Sequence, residues 1–210
     1  GFGDPVTTNG FKQEIPATKY TVAQVEGIIT GMNSAVSGSY VTAVTSAANA
    51  DDLLAALKAF PGLKYVADAN KDVYFTTTNQ FAGVTDDVTT QAKVVELNIV
   101  AIDAADKTKV IDALNVLELK NVIAANAEAY VAADFSGDTT IANAQDTVDA
   151  TNKQVIVDAQ VKAINEAKDV ATVKAALDAL ADVDEAAGYL TIRSVDRDFV
   201  AAHVLENRPA

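Results

Sequence analysis

Three stretches of the chain share one spacing of apolar residues: 48–60, 105–117 and 168–180. The second residue of each is Asn or Asp, and apolar residues follow it four, eight and eleven positions later, along one stripe of an α-helix. Since Asn and Asp are typical of the residue that caps a helix start, the pattern predicts three equivalent capped helices with a buried central leucine. The predicted caps are Asn49, Asp106 and Asp169, and the predicted core leucines are Leu57, Leu114 and Leu177.

The similarity continues on both sides of these helices. An aromatic column follows them, and we expect it to lie in the core: Tyr74, Tyr130 and Phe199. Segments that end in Asn precede them: 21–33, 86–98 and 140–152. The second unit is about two helical turns shorter ahead of its leucine, so its first helix is predicted to be truncated. Residues 139–169 carry a near-continuous apolar stripe and predict one helix of about 28 residues.

The repeats predict the domain organisation. Gly83 and Gly137 mark the borders, because Gly can close one helix and an Asp or Thr can cap the next. Between Gly62 and Arg208 there is no proline, as long helices require. The predicted domains are an extended arm, 1–19, and three helical repeat units: unit 1, 20–82; unit 2, 83–137; and unit 3, 138–210. The predicted fold class is all-α, with tandem three-helix bundles in an elongated array behind an extended N-terminal arm.

The composition of the chain limits the partners it could bind and the chemistry it could carry. Half of the 210 residues are apolar but only 6% are aromatic, which suits thin helical bundles. The formal charge of −13 repels phosphate backbones and argues against nucleic-acid binding. The absence of Cys excludes disulfides and thiolate chemistry. No apolar run approaches the roughly 18–20 residues of a membrane span. The start at Gly1, without a basic and apolar leader, is interpreted as that of a mature or excised piece.

A few residues are candidates for chemistry. His203 is the only histidine, and because its neighbours match no nucleophile motif, we interpret it as a half-exposed residue of the last helix. Residues 68–72 begin like a calcium loop, but lack the Gly and Glu that an EF-hand needs at its sixth and twelfth positions. Residues 136–140 and 183–188 offer carboxylate oxygens at loops. The sequence assigns no cofactor, and a surface Ca²⁺ at these two loops is the alternative.

Two acidic pairs raise the question of an active site. Asp51/Asp52 and Asp86/Asp87 could be glycosidase carboxylates. They lie at predicted helix starts, however, where negative charge complements the helix dipole. There is no Gly-rich phosphate loop and no HExxH motif. The sequence therefore assigns no catalytic, cofactor-binding or metal-binding residue, and it predicts a protein that is not an enzyme.

Three features together resemble the tandem helical repeats of surface-layer and related cell-wall proteins of Gram-positive bacilli. They are the C-terminal stretch VDRDFVAAHVLENRP (195–209), the A-x-D-x-x-x-V-x-x-A-L column and the Thr-headed helix starts. In that family a repeat tends to end in Arg-Pro and the next to start with Gly and an aromatic residue. Arg208-Pro209 and Gly10-Phe11 are similar. The resemblance covers about residues 20–210, and unit 2 departs from it by its shortened first helix and by the lack of Arg-Pro.

The resemblance implies a structural role. The expected protein is a secreted, extracellular segment of a cell-wall or surface-layer protein that acts as a spacer or as a self-assembling coat element. Its expected partners are neighbouring domains or copies of the same surface protein. The alternative is an adhesin-type binding module that recognises a host protein or glycan, which an exposed, non-repeated aromatic patch would favour.

Overall fold

The computed structural model describes residues 20–183 and 186–208. Within that part of the chain the regular structure is helical, apart from an isolated β-bridge between Phe75 and Asn79. The all-α prediction is confirmed. The predicted extended arm, 1–19, lies outside the described residues.

Each unit begins with its longest helix, and two shorter α-helices follow it in units 1 and 2 but three in unit 3. The α-helices are α1 Val22–Ser46, α2 Ala50–Ala59, α3 Lys71–Tyr74, α4 Asp87–Asp103, α5 Val110–Val116, α6 Ala127–Ala132, α7 Ile141–Glu166, α8 Val170–Asp182, α9 Ala187–Leu190 and α10 Arg197–Asn207. Short 3₁₀ turns, Asp68–Asn70 and Ala124–Asn126, lead into α3 and α6. At 17 residues α4 is shorter than α1, which has 25, so the predicted truncation is confirmed. The long helix predicted over 139–169 is also confirmed, with 26 residues.

Two of the three predicted caps are confirmed. Asn49 accepts a hydrogen bond from the backbone N–H of Asp52 at 2.9 Å, and Asp169 accepts one from Thr172 at 2.8 Å. The prediction for Asp106 is wrong, because α5 begins only at Val110. The Asp106 carboxylate instead accepts from the N–H of Thr108 at 2.8 Å. This bond two residues on is the local turn that Asp forms in competition with a helix start.

Three hydrophobic clusters hold the helices together, and α4 and α7 each belong to two of them. The first cluster joins α1, α2, α3 and one side of α4: Val41, Val44, Leu53, Leu57, Phe60, Tyr74, Phe81, Val94 and Leu97. The second joins the other side of α4 to α5, α6 and the start of α7: Val95, Ile99, Ile102, Val110, Leu114, Leu117, Leu119, Tyr130, Phe135, Ala144 and Val148. The third joins the end of α7 to α8 and α10 around Ala167, Val173 and Ala201. The first part of α4 or α7 thus packs on one hydrophobic cluster, and a later part of the same helix contributes to the next cluster.

The predicted core columns hold in units 1 and 2 and weaken in unit 3. Leu57 and Leu114 are fully buried, whereas Leu177 is only partly buried against the third cluster. The expectation of a buried aromatic is wrong for Phe199, which is 79% exposed. The physical reason is that Tyr74 and Tyr130 are covered by the following long helix, while no described helix covers Phe199.

Candidate functional site

The best-defined polar site in units 1 and 2 is the place where a long helix covers the preceding unit. Where α4 of unit 2 covers unit 1, the buried side chain of Asn98 is at the centre of this site. Its oxygen accepts hydrogen bonds from the hydroxyl of Tyr74 at 2.7 Å and from the amide of Asn70 at 2.8 Å. Its own amide donates to the backbone oxygen of Tyr65 at 2.7 Å. Both ends of the buried amide are therefore satisfied, which a polar group taken out of water requires.

The same site recurs, with different residues, where α7 of unit 3 covers unit 2. Asn152, on α7, accepts from the hydroxyl of Tyr130 at 2.5 Å and from the amide of Asn126 at 2.8 Å. Its amide donates to the backbone oxygen of Asn121 at 2.8 Å. Asn121 and Tyr65 both have left-handed backbone conformations, with φ of 58° and 64°. The loop carbonyl is thus presented to the helix in the same way in both units.

A glutamine seven residues before each central asparagine adds a second contact. Gln91 accepts from the backbone N–H of Lys64 at 2.7 Å and donates to its carbonyl at 3.2 Å. Gln145 does the same with Lys120, at 2.6 Å and 3.1 Å. Seven residues are about two helical turns, so the glutamine and the asparagine lie on one face of the helix. Together they fix the register of the helix on the loop.

The tyrosine hydroxyl links the helix to the loop as well. The backbone N–H of Ala67 donates to the hydroxyl of Tyr74 at 3.1 Å, and Ile123 donates to Tyr130 at the same distance. Burial raises the pKa of Tyr74 above its usual value, because the phenolate would lose its hydration. The hydroxyl is therefore held neutral and acts as a structural donor and acceptor.

Within the described residues, no helix covers the end of unit 3 in this way. Val195 stands where the other units have Asn70 and Asn126, and Phe199 stands where they have tyrosine. Both side chains are exposed, at 70% and 79%. In unit 3 the guanidinium of Arg208 donates instead to carbonyls at the end of α7: those of Ile164, Asn165 and the C-cap residue Ala167. This is the position that complements the negative end of a helix dipole.

The predicted candidates for catalysis do not come together. His203 is exposed on α10, and its Nδ1 lies 3.1 Å from the amide nitrogen of Asn207. Asp51 pairs with Lys71 at 2.9 Å and raises the pKa of that lysine. Asp86 caps α4, and the hydrogen bonds from Thr89 lower the pKa of its carboxylate. The acidic pairs therefore serve helix starts and surface ion pairs.

The candidate calcium segments are also engaged locally or only partly described. In 68–72, Asp68 forms an ion pair with Lys58. In 136–140, Asp138 accepts from the hydroxyl of Thr147 at 2.8 Å. Residues 184 and 185 of the third segment, 183–188, lie outside the described part. Among the described residues no three His, Cys, Asp or Glu side chains are grouped as metal ligands would be.

Sequence reasoning missed the asparagine and glutamine contacts. Their signals are present as two spacings, Asn-x₃-Tyr in the short helices and Gln-x₆-Asn in the long ones. No family model, curated protein or solved structure matches the chain. Among the described helices, none is both long and apolar enough to cross a membrane. What the arrangement can do chemically is hold one helical unit on the next in a defined register.

Proposed function

We propose that the chain is a structural segment of a bacterial surface-layer or related cell-surface protein. It consists of tandem three-helix bundles in an elongated array and acts as a spacer or a self-assembling coat element. The role is non-enzymatic and uses no cofactor. The place of work is extracellular, in or on the cell wall, and the partners are neighbouring domains or copies of the same protein.

One observation carries this proposal: consecutive units share a helix and repeat the same polar contact. A shared helix with a satisfied Asn–Tyr contact leaves no free hinge between cores, as a spacer of defined length needs. The main helix packing is within a unit or between adjacent units, such as α8 on α10, α7 on α8 and α3 on α4. Repeat proteins with nearest-neighbour packing are elongated. The resemblance of the repeats adds the cellular context.

Small-angle scattering on the monomer tests the shape. A compact chain of this length has a radius of gyration of about 17 Å. Three bundles placed end to end form a rod of roughly 100 Å, with a radius of gyration of about 30 Å. We expect the larger value. A value under about 20 Å would mean that the bundles fold back on one another, and the spacer would lose its physical basis.

A binding module of the adhesin type is the second candidate, favoured by the exposed side chains of Phe199 and Val195. Aromatic rings exposed to water are common anchors for protein or glycan partners. Binding to immobilised glycans or host matrix proteins, measured for the chain and for Phe199→Ala, separates the two candidates. Binding that the substitution abolishes would favour the adhesin.

A further inference from the structure

The first half of α1 carries an apolar stripe that no described residue covers. Its members recur every three or four residues, so they lie on one face. They are Val22, Val25, Ile29, Met32 and Val36, with exposed fractions of 74%, 41%, 52%, 60% and 50%. Only the second half of the helix is packed, through Val41 and Val44 in the first cluster. Five large apolar side chains in one exposed line indicate an interaction surface.

The repeat shows what lies on this face elsewhere in the chain. Thr21, Asp86 and Thr140 cap the starts of α1, α4 and α7. Counted from these caps, Ile29 corresponds to Val94 and Val148, which are both fully buried against the preceding unit. Asn33 likewise corresponds to Asn98 and Asn152, and Glu26 to Gln91 and Gln145. In α1 the asparagine and the glutamate are exposed.

We propose that the first half of α1 is the docking helix for a further helical unit that precedes it in the same polypeptide. That unit resembles units 1 and 2: it presents a left-handed loop carbonyl and an Asn-x₃-Tyr pair. The tyrosine hydroxyl and the asparagine amide donate to the oxygen of Asn33, whose own amide donates to the loop. Glu26 accepts from a loop N–H, as Gln91 does from Lys64.

The residues ahead of α1 identify this occupant. Residues 7–11, TTNGF, differ from residues 77–81, TTNQF, at one position. In unit 1 this segment connects the Tyr74 helix to the helix that covers it. There the amide of Asn79 donates to the carbonyl of Val44, and Phe81 is fully buried in the core. A sequence like the one that ends unit 1 therefore stands ahead of α1, with Phe11 ten residues before the cap Thr21, where Phe81 is five residues before the cap Asp86.

A second copy of this chain fits the stripe less well. The unit with an uncovered aromatic position is unit 3, which has Val195 and Phe199 in place of the two donors. Docking α1 there would bury Asn33 with no hydrogen bond to its oxygen, which is costly in a dry contact. The exposed Asn33 therefore favours a preceding unit that carries the Asn-x₃-Tyr pair.

The test extends the chain by one unit of known sequence. Residues 34–81 are joined in front of residue 12, so that the added unit ends in TTNQF and is followed by the whole of α1. Residues 22–33 then occur once, and their amide hydrogen exchange can be followed without ambiguity. We expect exchange at least about tenfold slower than in the unmodified chain, because docking adds protection to an exposed helix.

Two matched controls make the result specific. An added unit with Asn70→Val and Tyr74→Phe copies the residues of unit 3, and it should return exchange toward the unmodified rate. Asn33→Leu should lower protection in the extended chain and change little in the unmodified one. Each control leaves the apolar stripe in place.

The proposal would be overturned by unchanged exchange in residues 22–33. It would equally be overturned by an added unit that contributes no helical circular dichroism, because covering by α1 is what completes such a unit. If the unmodified chain dimerises and protects residues 22–33 by itself, the occupant is a second copy and not a preceding unit. The inference depends on the repeat and not on a role in a surface coat. Scattering from the unmodified chain tests that role separately.

Discussion

Units 1 and 2 differ from unit 3 in two residues that change together. Where the first two have Asn and Tyr, the third has Val195 and Phe199. Either change alone would leave a buried asparagine with one donor, whereas with both changes unit 3 has no donor that needs an asparagine opposite it. Removing one partner of a buried hydrogen bond lowers stability, because the other partner stays buried and unpaired. Replacing all the partners by apolar groups can be nearly neutral. The comparison teaches that the polar contact works as one set, present or absent as a whole.

The largest loss of stability is expected when the core leucines of the three units are replaced, and the three losses can be compared. Leu57→Ala and Leu114→Ala should each lower the free energy of unfolding by about 2–5 kcal/mol, the usual result of emptying a buried leucine site. Leu177→Ala should cost less, because that side chain is only partly buried. Chemical denaturation of the three variants measures the order. Losses below about 0.5 kcal/mol at all three sites would contradict the repeat alignment.

A smaller loss of stability should distinguish an asparagine that is covered by the neighbouring unit from one that is exposed. Asn98→Leu leaves the amide of Asn70 without its acceptor. The hydroxyl of Tyr74 keeps only its longer bond to the backbone oxygen of Tyr65, at 3.4 Å. We expect a cost of about 1–3 kcal/mol, as for one buried group left unpaired. Asn33→Leu occupies the same column on an uncovered helix and should change stability by less than about 0.5 kcal/mol. Equal effects in urea denaturation would show that the contact does not stabilise unit 1.

The smallest expected change in stability depends on pH. It is the difference between the unmodified chain and a variant with phenylalanine at position 74, the residue type found in unit 3. Because burial raises the pKa of Tyr74 in the folded state, its contribution is fully present below the unfolded pKa of about 10. That contribution is lost as the pH rises through the folded pKa. We expect Tyr74→Phe to cost about 1 kcal/mol at pH 8. The difference from the unmodified chain should shrink by pH 11, and a difference that stays constant would contradict the prediction.

The helices could be predicted because their signals are local. The apolar spacing after Asn49 and Asp169 and the truncated first helix of unit 2 depend only on residues close in sequence. The failure at Phe199 is different in kind: its local pattern matches that of Tyr74, and burial depends on whether a helix from elsewhere covers it. At Asp106, the hydrogen bond from Thr108 competes with the cap.

The docking residues could not be recognised from polarity alone. Gln91 and Asn98 lie on a helix that is apolar on two sides, and a polar residue in such a helix is ordinarily taken as solvent-facing. Their role appears only once the loop carbonyl of Tyr65 and the hydroxyl of Tyr74 are placed opposite them. A comparison of the units by polar columns, in addition to apolar ones, would have found them.

The sharing of α4 and α7 between cores has a geometric consequence. The length of such a helix sets both the distance and the angle between two successive units, at about 1.5 Å and about 100° for each residue. With 17 residues in α4 and 26 in α7, the second step is about 13 Å longer and offset by about half a turn. An insertion in a shared helix would therefore rotate everything beyond it. The distance and the rotation between the successive hydrophobic clusters therefore follow from the lengths of α4 and α7.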